Sequence, residues 1–358
     1  MQGEKSVTEI ARVLDALTQE AELVQQMDSG EVRCLACAQR CLVRPGRRGI
    51  CQVRFNRDGK LYAPWGYVAG LQADPVEKKP FYHFLPGSIA MTFGMLGCNF
   101  HCGYCQNWLT SQAARDPACD EAVYQIRKIS PAQIVDYGRR MGARVLASSY
   151  NEPLITSEWA VEIFKQAVAA GMKCVMVSNG YATPEVLKYL RPWLAGYKID
   201  LKSMQDQNYR RLGGVLKNVL DTIQQAHKLG LWVEVVTLLV PGFNDSNAEL
   251  WEMASFLRGV SQKIPWHITA FHQDYHMLEA DNTPAASLLR AAEIGSEAGL
   301  YYVYAGNLPG RVDEYETTFC HHCQAALIKR RGFYVMENRI TPEGACPQCG
   351  MQAAGVWG

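Results

Sequence analysis

Three cysteines with the spacing Cys-x3-Cys-x2-Cys lie in the stretch Gly97-Cys98-Asn99-Phe100-His101-Cys102-Gly103-Tyr104-Cys105-Gln106-Asn107, directly after the apolar run Ile89 to Phe93. A glycine-bearing loop leaving a strand can set three thiolates on one face of a cubane iron–sulfur cluster, which takes soft anionic ligands of this kind. The fourth iron then has no protein ligand and is open to a substrate or cofactor. A zinc site of the three cysteines completed by His101 is the competing reading. His101, however, is crowded between Phe100 and Cys102.

Further residues with chemical potential stand at the ends of later apolar runs. Asn151 and Glu152 fall in Ser149-Tyr150-Asn151-Glu152-Pro153, and Asn179 falls in Val177-Ser178-Asn179-Gly180. A carboxylate such as Glu152 suits charge pairing with a cationic group. Asp200 and Lys202 point to the same face of a strand by its two-residue period, and a plain surface ion pair is the alternative reading. Leu238 to Asp245 and Pro265 to Asp274 close two more runs. His267, His272 and His276 are candidate ligands or acids, although a histidine among aromatic side chains is more often a packing residue.

Of the 13 cysteines, eleven fall into three clusters, and Cys119 and Cys174 stand alone. Disulfide scaffolds belong to small secreted chains, so repeated Cys-x2-Cys pairs here favour metal. Cys34, Cys37, Cys41 and Cys51, with turn residues and basic side chains between them, can enclose a metal. Structural zinc, an auxiliary iron–sulfur cluster and unligated redox thiols are all open for this set. Cys320, Cys323, Cys346 and Cys349 form two knuckles separated by 22 residues, a specific sign of a zinc-ribbon-like module. His321 and His322, between ligands, are expected to be exposed.

The positioning elements follow from the pattern. Strands are expected at Ile89 to Phe93, Arg144 to Ser149, Lys173 to Val177, Tyr197 to Leu201, Trp232 to Leu239, His267 to Phe271 and Tyr301 to Tyr304. Between them, helix starts carry caps at Ser130, Thr183, Ser246 and Thr283. This alternation predicts an α/β fold, a partial or full (β/α) barrel with chemistry at the carboxyl ends of its strands. Val7 to Met27 reads as an amphipathic helix, Asp58-Gly59 as a hairpin turn, and Val68 to Pro86 as a connector laid against the barrel. The expected units are an N-terminal helix (1–30), a four-cysteine knuckle and connector (31–84), the barrel (85–305) and a zinc-ribbon-like C-terminal module (306–358).

At 358 residues and 48% hydrophobic content the chain can bury a large core. Its net charge of +1 gives no global electrostatic case for nucleic acid or membrane as a partner. No run approaches the roughly 18 apolar residues of a spanning helix. The acidic N-terminus reads as neither a secretory nor an organellar address, so a cytoplasmic location is expected.

The Cys-x3-Cys-x2-Cys loop with an aromatic before its third cysteine resembles the radical S-adenosylmethionine (SAM) superfamily. The Asn151-Glu152 position is similar to that superfamily's Gly-Gly-Glu motif, whose glutamate receives the SAM ammonium. Ser178-Asn179-Gly180 and Asp200-x-Lys202 resemble elements of the glycyl-radical-enzyme activases. Val177 stands where activases often carry an aspartate near a monovalent cation. The N-terminal cysteines with Cys51, the Tyr-Asn-Glu-Pro loop, Pro265 to His272 and the terminal Cys-Pro-x-Cys-Gly with Gly-Val-Trp are more narrowly similar to the AmmeMemoRadiSam system radical SAM enzyme. The resemblance implies a [4Fe–4S] cluster on Cys98, Cys102 and Cys105. It also implies SAM contacts from Tyr104, Asn151, Glu152, Asn179, Asp200 and Lys202, and reductive SAM cleavage for hydrogen abstraction. One or two zinc ions, an electron donor such as flavodoxin or ferredoxin, and a protein substrate or proteins of the same system complete the expectation. An activase acting on a partner's glycine, direct modification of a protein, RNA or metabolite, and a non-catalytic iron or redox sensor are the functional alternatives.

Overall fold

An eight-stranded sheet organises the computed structural model, which describes residues 9–358. Its strands are β1 (Gly70–Pro75), β2 (Ile89–Gly94), β3 (Val145–Ser148), β4 (Lys173–Ser178), β5 (Leu194–Asp200), β6 (Trp232–Leu239), β7 (Trp266–Ala270) and β8 (Val303–Gly306). They lie side by side in chain order; β2 to β8 run parallel, and β1 pairs antiparallel with β2 at the edge. The first and last strands do not pair, so the sheet is an open, partial barrel rather than a closed one. Strands wound in one direction through right-handed crossovers keep their helices on one face and leave the other for a site.

The crossover helices include α1 (Pro131–Arg140), α2 (Ser157–Ala169), α3 (Pro184–Leu190), α4 (Leu216–Lys228), α5 (Asn247–Val260) and α6 (Ala285–Glu297). Ser130 and Gln133 form a reciprocal capping box at α1, and the Thr183 and Ser246 hydroxyls accept the third backbone N–H of α3 and α5. Thr283 does not cap α6. Its hydroxyl instead donates to the Leu239 carbonyl and accepts the Phe271 N–H, tying β6 to the end of β7. The core consists of strand residues such as Val233, Val235, Ile199 and Ile268 packed on helix residues such as Ile223, Leu250 and Leu288. Each such fully buried side chain contributes about 1.5–3 kcal/mol.

Three N-terminal expectations change. The described part of the Val7 to Met27 helix is helical only over Glu9–Asp15; residues 7–8 lie outside the described residues. Thr18–Glu20 then pairs with Lys60–Pro64, and Val24–Gln26 pairs with Val32–Cys34. Apolar spacing alone did not decide between helix and strand, and these pairing partners, together with the Leu23 N–H donating to Glu158, settled it. Among the described residues, Thr18–Glu20 and Val24–Gln26 are therefore strands paired with the four-cysteine region and not part of a helix. The Val68 to Pro86 connector is likewise more than a connector, since it supplies the edge strand β1. The Asp58-Gly59 hairpin forms as expected, with both residues at positive φ joining Phe55–Arg57 to Lys60–Pro64.

Both appendages are locked to the barrel by buried charge. Arg54 makes a bidentate pair with Glu158 of α2, the two side chains 1% and 2% exposed. At the amino end of the sheet, Glu234 accepts the backbone N–H groups of Tyr82 and His83, the Trp232 indole and the His267 ring. Burial opposes ionisation of Glu234, yet these donors, led by His267, hold its carboxyl below its ordinary range. His267 is thus a packing residue. The C-terminal module is a three-stranded antiparallel sheet (Thr318–Phe319, Ala326–Arg331, Tyr334–Asn338). Its buried Arg330 donates to the Tyr82 carbonyl and Thr318 and lies 3.7 Å from buried Glu77. Arg330→Met should therefore lower the unfolding free energy by about 3–5 kcal/mol, because Glu77 and the Tyr82 carbonyl lose their partner. Lys329→Met, on the exposed face, should stay within about 0.5 kcal/mol; denaturant titration of both variants checks the contrast.

Candidate active site at the strand ends

The loop after β2 leaves the sheet at Gly94, where an added Cβ would lie 2.4 Å from the Ser149 carbonyl, so only glycine lets the β2 and β3 exits approach this closely. Beyond it the loop is held by backbone contacts to the neighbouring exit. Met95 N–H donates to the Asn151 side-chain oxygen, and Glu152 N–H donates to the Gly97 carbonyl. Arg115, which spacing gave no reason to single out, donates to the carbonyls of Cys98 and Phe100 and across to Ile50.

The three sulfurs stand in a shared environment. Cys98 accepts the Phe100 N–H at 3.3 Å, and the Asn179 amide lies 3.9 Å away; Cys105 sits 3.2 Å from the Ser111 hydroxyl. Burial pushes all three thiols up, Cys102 to about 12, so a soft cationic centre is what would keep them ionised. His101 is exposed, and its ring packs on Gly213. Among the described residues it joins no ligand group with the cysteines, so the zinc reading of this loop has no support.

Glu152 lies at the centre. It is 2% exposed, and one oxygen accepts the Ser178 hydroxyl at 2.7 Å and the Leu154 N–H at 3.1 Å, the other the Asn179 N–H at 2.8 Å. No cation pairs with it among the described residues. Burial pushes its carboxyl up to about 7 despite these donors. Tyr150, just before, adopts φ 72 and lays its ring 4.9 Å from the Lys79 ammonium, a strained residue in the loop that aims Asn151 and Glu152.

Around this carboxylate the other expected residues assemble. Asn179 donates to Asn99 at 2.7 Å, and Gly180 is required beside it, because at φ +70 an added Cβ would meet Ile199 at 2.4 Å. Asp200 is shared by Lys202 and by Lys198, a strand lysine whose role the sequence did not reveal. Burial opposes ionisation of Asp200, but the two ammonium groups hold it at about 2. This is a half-buried three-residue charge cluster rather than a plain surface pair. Tyr104 is buried with its ring 5.7 Å from Phe243, closing the gap between the cysteine loop and the β6 exit. Asn244 holds that exit by accepting Val240 N–H and donating to the carbonyls of Lys202 and Leu238. His272 is exposed, its ring 3.2 Å from the Gln273 carbonyl of its own loop. His276 stacks on Tyr275 and faces Asp116 at 3.5 Å.

Metal-ligand geometry separates the cysteine sets. Among the described residues only Cys320, Cys323, Cys346 and Cys349 bring their sulfurs within 4.8 Å of one another, with Cys320–Cys349 at 3.6 Å and Cys323–Cys346 at 3.7 Å. Zn–S bonds of about 2.3 Å in a tetrahedron put sulfurs about 3.8 Å apart, so this cluster is shaped for one mononuclear ion. His321, expected to be exposed, is instead half-buried and stacks on Tyr301 at 4.5 Å. The loop cysteines do not close to that mutual distance, as ligands on separate irons of a cubane should not. A cavity of about 360 Å³ lies between Tyr301 to Tyr304 and Asp313 to Gln324, at the amino end of β8, and neither Glu152 nor the loop cysteines line it. Replacing Cys320 and Cys349 together by serine should remove about one metal ion per chain and lower the melting temperature, read by metal analysis and calorimetry.

Comparison with known proteins places this geometry. The sequence profile of the family described as Radical SAM superfamily matches residues 93–257. An uncharacterized protein of Methanocaldococcus jannaschii is 38% identical over 323 residues, covering 90% of this chain and 93% of that protein. The pyruvate formate-lyase-activating enzyme of Staphylococcus aureus is 24% identical over 191 residues, covering 49% of this chain and 72% of that enzyme. Among solved structures, a radical SAM methyltransferase from Sphaerobacter thermophilus aligns with a TM-score of 0.47 at 14% identity, covering 81% of this chain and 76% of that one. No helix among the described residues is long and apolar enough to cross a membrane.

Proposed function

This chain belongs to the radical SAM superfamily, and we propose that as an enzyme of that superfamily it binds a [4Fe–4S] cluster through Cys98, Cys102 and Cys105 and cleaves SAM to abstract a hydrogen atom from its substrate. The observation that carries the reading is Glu152, a buried carboxylate with three hydrogen-bond donors and no cation among the described residues, next to three thiols that stand too far apart for a single ion. Such a cluster, when bound and reduced, supplies the electron that breaks the SAM sulfonium into methionine and a 5′-deoxyadenosyl radical.

The protein's own part is positioning and charge. Glu152 supplies the negative charge that an α-ammonium group needs, and the Ser178 hydroxyl and Asn179 N–H fix its orientation. Lys202, held by Asp200, gives a cation for a carboxylate and lies close to Cys102. Tyr104 and Phe243 offer an apolar wall for an adenine ring. Asn151 and Asn179 keep the β3 and β4 exits in register with the cysteine loop. Val177 remains where a cation-binding aspartate stands in activases, so these residues supply no carboxylate for a monovalent ion there.

The narrower likeness, to the AmmeMemoRadiSam system enzyme, rests on the two cysteine-rich appendages and leaves the hydrogen donor open. A second reading is an activase that makes a glycyl radical on a partner protein, favoured by the activating-enzyme relative aligned over about half of this chain. A persistent glycine-centred radical on a candidate partner supports it, and modification without that signal supports the first reading. The sensor alternative has no place in a superfamily of enzymes.

The Cys98→Ala/Cys102→Ala/Cys105→Ala variant should lose SAM cleavage, followed as 5′-deoxyadenosine release under dithionite, together with the roughly 400 nm absorption that its cluster contributes. Unchanged release would sink the assignment. The pH dependence has a definite sign. Because the carboxyl of Glu152 is raised to about 7, it is protonated below that pH and cannot hold an ammonium group. SAM affinity should fall about tenfold per pH unit below about 7 and level off above it. Glu152→Gln should bind weakly at every pH without that slope, as equilibrium dialysis between pH 5.5 and 8.5 can show.

A further inference from the structure

The four N-terminal cysteines lie beside the strand-end site. Ala38 N–H donates to the Tyr181 carbonyl at 2.9 Å, and Thr183 donates to the Leu35 carbonyl. Gln39 donates to the carbonyls of Gly213 and Asn99. The cysteine lobe is therefore seated on the Asn179 to Thr183 loop and on the cysteine loop itself. Arg115 makes the same link from the other side, reaching Ile50, next to Cys51, and Cys98 with one guanidinium.

Two buried donors in this region find no oxygen or nitrogen partner among the described residues. Arg54, 1% exposed, spends its terminal nitrogens on Glu158 and Ile155 and leaves Nε unpaired, while its charge faces Cys34 and Cys51. Asn99 is fully buried and gives its oxygen to Asn179, but its Nδ2 is unpaired and faces the Cys37 sulfur. The backbone N–H of Ile50 points at Cys41 at 3.4 Å, and those of Ala36, Gln39 and Val53 point at Cys34, Cys37 and Cys51. A set of donors converging on four sulfurs is the surrounding an anionic thiolate centre needs.

Which metal it holds follows from comparison within the molecule. At the C-terminus the four sulfurs close to the spacing of a single tetrahedral ion. No three of Cys34, Cys37, Cys41 and Cys51 come within 4.8 Å of one another, and in this they match Cys98, Cys102 and Cys105. We propose that Cys34, Cys37, Cys41 and Cys51 hold a second [4Fe–4S] cluster, with the Asn99 amide standing between it and the strand-end cysteines.

All four irons would then have protein ligands, so this centre has no open position for substrate. Its chemistry is to accept one electron from a low-potential one-electron donor protein, which is oxidised by one electron, and to pass that electron on; no bond is made or broken. The metal assignment stands on the geometry alone, and the relay role rests on the radical SAM reading above.

The test is iron, sulfide and zinc analysis with EPR on the full chain purified anaerobically, wild type beside Cys98→Ala/Cys102→Ala/Cys105→Ala. The wild type should carry about eight iron, eight sulfide and one zinc. The triple variant should keep about four iron and four sulfide, and its dithionite-reduced signal should not change when SAM is added. About two zinc and no iron in that variant overturns the proposal, and so does one zinc with no iron. Because the triple variant lacks the strand-end ligands, retained iron reports the N-terminal site even if the SAM reading fails. The complementary Cys34→Ser/Cys37→Ser variant should fall to about four iron with its zinc unchanged and a signal that SAM does perturb. Loss of zinc with iron unchanged in that variant refutes the second cluster.

Discussion

Glu152 is buried at the point where three strand exits meet, and the arrangement of those exits depends on satisfying its carboxylate. Its backbone N–H joins the Gly97 carbonyl of the cysteine loop, and its oxygens collect the Ser178 hydroxyl and the Asn179 N–H from the β4 exit. A buried carboxylate costs several kcal/mol unless hydrogen-bonded, and three donors without a cation leave it satisfied only in part. Under the proposed reading, that residual demand for positive charge would make the site receptive to an ammonium group. Tyr197 supports the same centre from β5 by donating to the Ser178 hydroxyl.

The same physics, used to opposite effect, fastens the appendages. Glu158 and Glu234 are as buried as Glu152, but each has a full complement of partners: Arg54 and the Leu23 N–H for the first, four donors for the second. Their burden is relieved within the fold, so they act as locks. The N-terminal lobe is locked onto α2 and the C-terminal tail onto the amino end of the sheet, where Val356 exchanges backbone bonds with His83 and Leu85. Both cysteine-rich ends thereby become parts of one barrel assembly, and the N-terminal one borders the chemistry.

Much of this was legible because it is local. Short apolar runs marked six of the seven parallel strands to within about two residues, since a strand buried on both faces needs a continuous apolar run. Leu194 to Gly196, the first part of β5, was missed because its Leu-Ala-Gly text carries no strand preference. The cysteine loop, Glu152, Asn179 and Asp200 could be singled out as candidates because they follow or end such runs, where chain direction alone brings side chains to one end of a sheet. Lys198 was hidden inside a strand, where a lysine reads as solvent-facing. Arg115 and the bridging role of Asn99 depend on partners far away in sequence, and no spacing encodes them.

What the sequence determined by itself was the type and order of the chemistry. Three thiols lie on a glycine loop, polar residues follow at successive strand ends, and four-cysteine sets stand at both ends of the chain; ligand identity and short-range periodicity are properties of the string. Tertiary structure alone decided that residues 18–20 and 24–26 are strands and not helix, that the barrel stays open, and that the two four-cysteine sets differ in spread. Each of these turns on backbone pairing or on distances between residues remote in the chain, and those are set only when the whole core packs.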